Sequence, residues 1–314
     1  MSVVVIALLV ATTNACQSSA AGSGVAGEFS AARAFEHARY MVSLGPRPSG
    51  SEAIRKTQDY IERELRGAGL QIDEDNFTAE TPKGSVVMKN IIGSIAGAKQ
   101  GIVILSGHYD TKLQPGFVGA NDGASSAATV LELARSLAKS KPEYTLWFVF
   151  FDGEEAVVDW NAMGGLDNTY GSRHLANKLK SERVIQQVKA MILVDMIGDR
   201  DLSIKREGES TRWLINLIWD SARKAGYSKI FVQDEQYISD DHLPFRDAGV
   251  PVADLIDFDY GPQHSYWHTN EDTLDKVRGE SMKAVGDVVI RSLPELFKRL
   301  SIQPGATNKP EPPQ

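Results

Sequence analysis

The chain has 314 residues, 42% hydrophobic and 8% aromatic, with a formal net charge of −7. That length suits one large α/β domain or two modest ones. The acidic balance, with no basic cluster, argues against nucleic acid as a partner.

Val3–Ala11 is apolar but far too short to span a bilayer. Small polar residues and Ala15-Cys16 follow, which reads as an export signal with a cleavage site. Cys16 is the only cysteine, so no internal disulfide can form. A lone cysteine here is expected to become a lipidated N-terminus, although no Lys or Arg precedes Arg33 and Thr13 stands where such signals usually carry Leu. Residues 1–27 are therefore expected to be a leader and linker. The product would be exported, as a periplasmic or lipid-anchored protein with no transmembrane span.

Ser51 starts a predicted helix with Ile54, Ile61 and Leu65 on one face, ending near Gly67 and Gly69. Ser85–Ile92 and Gly101–Ser106 are β-branched runs between Gly-containing turns, hence strands. Ala124–Lys139 reads as a helix, with Val130, Leu133, Ala134 and Leu137 on one face. A buried strand Tyr144–Phe151, a helix near Ser172–Lys180 and a strand Ala190–Met196 follow. Then come a helix Thr211–Ala225, a strand Val250–Ile256 and a closing helix Glu280–Leu300. This alternation predicts one α/β domain over residues 28–302, a mixed and mostly parallel central sheet flanked by helices in three layers. Gln303–Gln314, with four prolines, is expected to be a disordered tail.

Polar residues gather where the predicted strands end. Ile102–Leu105 runs into His108-Tyr109-Asp110, and Asn121-Asp122-Gly123 opens the next helix. Tyr144–Phe151 ends at Glu154-Glu155, Met191–Val194 at Asp195, and the loop after Val250–Ile256 carries Trp267-His268-Thr269. Singly each is weak, since Asp122 alone would make a good helix N-cap. Together they place His, Asp, Glu, Asp and His at one sheet edge, where open α/β sheets bind ligands. Nitrogen and oxygen donors without thiolates suit zinc with an open coordination position. His37 and His174 read as surface or structural residues, His242 as a member of a hydrogen-bond network, and His264 as lying outside the site.

These motifs resemble the zinc-dependent exopeptidase superfamily of aminopeptidase type, over roughly Ala31 to Leu300. Phe151-Asp152-Gly153-Glu154-Glu155-Ala156, Trp160, Tyr170-Gly171-Ser172-Arg173-His174, Asp240-Asp241-His242-Leu243-Pro244-Phe245 and Trp267 before His268 are more similar to the animal-type glutaminyl cyclases and their bacterial relatives. The resemblance implies the zinc exopeptidase (phosphorylase/hydrolase-like) fold. It also implies one zinc on Asp122, Glu155 and His268, and Glu154 as the proton-transfer residue. Asp195 and Asp240 would form an acidic network beside Glu154, with Trp160, Trp267 and Ser239 at the substrate pocket. Asn121-Asp122-Gly123 is nearer the peptidase pattern. Ser239 stands where mammalian cyclases carry Gln, and Asp254 where they carry His.

The implied reaction closes an N-terminal glutaminyl residue of a peptide or protein to pyroglutamate and releases ammonia. The alternative is a two-zinc aminopeptidase, with His108 and Asp195 joining Asp122, Glu155 and His268, and Glu154 activating the attacking water. A non-catalytic binding domain would be expected to have lost a ligand or the general base, and none is missing.

Overall fold

The computed structural model describes residues 27–302, so Cys16 with the rest of the expected leader up to residue 26, and the tail 303–314, lie outside the described residues. In chain order the elements are α1 (Ala31–Ser43), α2 (Glu52–Gly67), β1 (Gln71–Thr81), β2 (Gly84–Ile95), β3 (Lys99–His108), α3 (Ala124–Leu137) and β4 (Tyr144–Phe151). They continue with a single turn α4 (Ala162–Gly165), then α5 (Tyr170–Ser181), β5 (Val188–Asp195), β6 (Ile204–Glu207) and α6 (Arg212–Lys224). Last come β7 (Phe231–Gln236), α7 (Leu243–Asp247), β8 (Val252–Ile256) and α8 (Gly279–Ile302).

The main sheet has the order β1-β2-β4-β3-β5-β8. β1/β2 and β2/β4 pair antiparallel, while β4/β3, β3/β5 and β5/β8 pair parallel. Alternate side chains of the inner strands feed two opposite layers, as the two-residue period of a strand requires. Val103, Leu105, Phe148, Ile192, Val194 and Leu255 pack towards α1, α2, α3, α6 and α8. Ile104, Val149, Phe151, Met191, Leu193 and Val252 pack towards α5 and α7. The result is a helix–sheet–helix sandwich. α3 is buried along nearly its whole length, matching its run of small and apolar residues, and it carries Asp122 at its start. No helix among the described residues is long and apolar enough to cross a membrane.

Three departures from the sequence reading have physical causes. β2 and β3 follow one another in the chain without pairing, because β4 lies between them. The strand β1 was not expected, since Gln71–Thr81 is mostly polar. It is an edge strand held by an eleven-residue register with β2 rather than by its own burial. The small parallel pair β6/β7 was also missed, being too short to show a period.

Candidate active site

The C-terminal ends of the parallel strands carry the chemistry. His108 closes β3, Glu154 and Glu155 follow β4, Asp195 closes β5, and His268 lies in the loop after β8. Gly123 lets Asp122 enter this edge. Its φ is +90°, and a Cβ there would lie 2.4 Å from the Asp110 carbonyl oxygen. His268 and Met196 both hold positive φ, at 53° and 49°, a costly backbone state of the kind that clusters at functional sites.

Two groups of donor atoms form, each with its atoms within 4.8 Å of one another: Asp122, Glu155 and His268, and His108, Asp122 and Asp195. In the first, His268 Nε2 lies 3.2 Å from Glu155 Oε2 and 3.4 Å from Asp122 Oδ2. Both Glu155 carboxylate oxygens and Asp122 Oδ2 are buried with no hydrogen-bond donor among the described residues. Buried acceptors without a donor are expensive, and a cation with an N/O donor preference would satisfy all three, so these residues fit zinc. In the second group His108 Nε2 lies 3.1 Å from Asp195 Oδ1 and 3.2 Å from Asp122 Oδ1. Here Asp195 Oδ1 already accepts from Ser126 Oγ (2.8 Å) and from the Met196 N–H (2.7 Å).

Residues invisible to motif reading hold these donors in place. The Asp110 carboxylate accepts the backbone N–H of Glu154 at 3.1 Å and of Glu155 at 3.2 Å, fixing the turn after β4. Asp272 accepts the N–H groups of Asn121 (2.8 Å) and Asp122 (3.0 Å) and the Tyr260 hydroxyl (2.7 Å). Arg47 is fully buried, donating to the carbonyl oxygens of Val118 (2.7 Å), Gly119 (3.1 Å) and Tyr109 (3.3 Å). Burial pulls its pKa down to about 10 against the opposing pull of Asp272, Asp110 and Asp122. It therefore sits as a positive charge behind the acidic site. Asp167 gathers the N–H groups of Val157, Val158 and Asp159 and so shapes the loop that carries Trp160.

The unliganded carboxyls are electrostatically crowded. Burial pushes the Glu154 carboxyl well above its usual range, and Asp240, Glu155 and Asp241 add to the shift against the opposing pull of His108. Asp240 is raised by burial and then by Asp195 and Asp241. A carboxyl kept protonated near neutrality can exchange a proton with a bound reactant.

Trp267 stacks on the His268 ring at 4.0 Å between centroids and 21° between planes, with Phe258 on its flank. Trp160 is half-buried on the loop after Glu155, its carbonyl accepting from Asn168 Nδ2 at 2.8 Å. Ser239 is exposed just before buried Asp240. The other histidines lie elsewhere. His37 meets the Tyr60 hydroxyl at 2.6 Å, His174 stacks on Phe77, and His264 packs against Phe258.

Residues 90–293 match the profile of peptidase family M28. The glutaminyl-peptide cyclotransferase of Bos taurus is 33% identical over 290 residues, 80% of this chain and 78% of that protein. A glutaminyl cyclase crystal structure from an Acidobacteriales bacterium matches with TM-score 0.83 and 36% identity, covering 92% of this chain and all of that one. A leucine aminopeptidase precursor of Bacteroides thetaiotaomicron matches with TM-score 0.77 and 26% identity, over 85% of this chain and 98% of that one.

Proposed function

The chain belongs to peptidase family M28 and, within it, to the glutaminyl-peptide cyclotransferases, and from this we propose that it converts the N-terminal glutamine of peptides or proteins to pyroglutamate with release of ammonia. Zinc, held by Asp122, Glu155 and His268, would polarise the γ-carbonyl of the glutaminyl side chain and stabilise the charge that develops on it. Glu154 stands beside this set with its carboxyl pushed towards the protonated form. In the reaction it takes the proton of the attacking α-amine and returns it to the leaving nitrogen. Asp240 and Asp195 keep that carboxyl's proton affinity high, because neighbouring buried carboxylates resist ionising together. Trp267, and Trp160 across the pocket, give flat walls against which one side chain folds back on its own amine.

The observation that carries a single-zinc cyclase is the contrast between the two donor groups. Glu155 offers two oxygens with no donor, whereas the Asp195 oxygen facing His108 is already engaged by Ser126 and Met196. The second group still supports a runner-up, the two-zinc aminopeptidase that would use His108 and Asp195 as well. Incubation with an N-terminal Gln peptide and, separately, a leucine anilide tests the choice. Ammonia with the peptide otherwise intact fits the cyclase, and a freed amino acid or aniline fits the peptidase. We further propose, from Val3–Ala11 and Ala15-Cys16, that the enzyme is exported and lipid-anchored at Cys16. Mass spectrometry of the membrane fraction checks this.

A further inference from the structure

Behind the acidic site lies a second buried cluster that the reaction described above does not use. Glu207 closes β6, Asp254 lies on β8, and His242 ends the run Asp240-Asp241-His242 just before α7. All three side chains are essentially inaccessible.

Glu207 meets only donors. Its carboxylate accepts from the N–H groups of Glu209 (2.9 Å) and Ile238 (3.3 Å) and from Ser210 Oγ (2.8 Å). His242 Nε2 faces it at 3.3 Å. A carboxylate ringed by donors is an anion, and it is held below its usual range although burial opposes this. His242 therefore carries its proton on Nε2. Its other nitrogen, Nδ1, faces Asp254 Oδ2 at 3.6 Å. No donor reaches either Asp254 oxygen and no partner reaches Nδ1, so buried polar atoms stand unmatched on both sides of one gap. A single proton in that gap satisfies both, whether it is written on Asp254 or on the imidazole. Ser210 sets the spacing, since its Oγ donates to Glu207 and accepts the Asp254 N–H at 3.0 Å. The clamped imidazole in turn fixes the turn that carries Asp240, because the Asp240 carbonyl accepts from Leu243 N–H (3.0 Å) and the His242 carbonyl from Arg246 N–H (3.0 Å).

We propose that His242 is a positioning residue for turnover: held between Glu207 and Asp254, it shares one proton with Asp254 and keeps Asp240 in place beside Glu154. The kinetic part rests on the cyclase reading, while the shared proton does not.

The test uses the full zinc-loaded chain with ¹⁵N-labelled histidine. Without substrate, proton NMR is expected to show a downfield, slowly exchanging imidazole N–H that disappears in both His242→Gln and Asp254→Asn. With an N-terminal Gln peptide, His242→Gln should lose about 10–100-fold in kcat, as removal of an outer-shell partner does, with KM and zinc content unchanged. The double variant should be no worse than His242→Gln, because both changes remove the same proton. A parent spectrum without the resonance, or His242→Gln turning over like the parent, overturns the proposal. If His242→Gln does not fold, Asp254→Asn, which preserves shape, gives both readings. A parent that shows the resonance but does not cyclise removes the cyclase reading and leaves the shared proton standing.

Discussion

Trp267 lies flat on the imidazole of His268, 4.0 Å between ring centroids. One aromatic wall of the pocket is thus attached directly to a zinc-site residue, and the two should separate by mutation. Trp267→Ala is expected to lower cyclisation by about one to two orders of magnitude, because positioning is a large share of the barrier. Zinc content should hold, since the indole donates no ligand, and Trp267→Tyr should retain more activity than Ala does. Steady-state kinetics with metal analysis checks this.

Glu154 separates proton transfer from metal binding. Its side chain belongs to neither donor group. Glu154→Gln should therefore keep zinc and lose on the order of 100-fold or more in kcat, the usual loss for a general acid/base. Near-parental turnover would show that the roles of Glu154 and Glu155 are wrongly assigned.

Asp272 should matter for the metal without touching it. It holds the N–H groups of Asn121 and Asp122, so Asp272→Asn is expected to weaken zinc affinity by about 10–100-fold. Competition with a chelator measures this directly. Unchanged affinity would mean that the turn before α3 keeps its shape unaided.

Gly123→Ala tests the backbone that delivers Asp122. At φ +90°, with an added Cβ 2.4 Å from the Asp110 carbonyl oxygen, the variant should lose about 1–3 kcal/mol of stability from backbone strain. Denaturant unfolding of parent and variant reads the loss.

Much of this was legible in the sequence because the inner strands are unbroken apolar runs. Tyr144–Phe151 and Val188–Asp195 had to be buried, and the polar residues at their ends had to meet at one edge. What stayed hidden depends on distant pairing. Gln71–Thr81 carries too few apolar residues to declare itself a strand until β2 supplies its partner. Asp272 reaches Asp122 across 150 positions, and Arg47 reaches Gly119 across 72. A lone acidic residue in a loop or a lone arginine near Gly45 gives no local sign of such a role.

Stepwise zinc addition to the metal-free full chain, following an N-terminal Gln peptide by mass spectrometry and ammonia release, tests the central claim most directly. The expected result is ammonia release with every residue of the peptide retained, rising to a plateau at about one equivalent of zinc, in keeping with three protein ligands and an open position. Release of a free amino acid, or a plateau reached only with a second equivalent, would contradict the single-zinc cyclase.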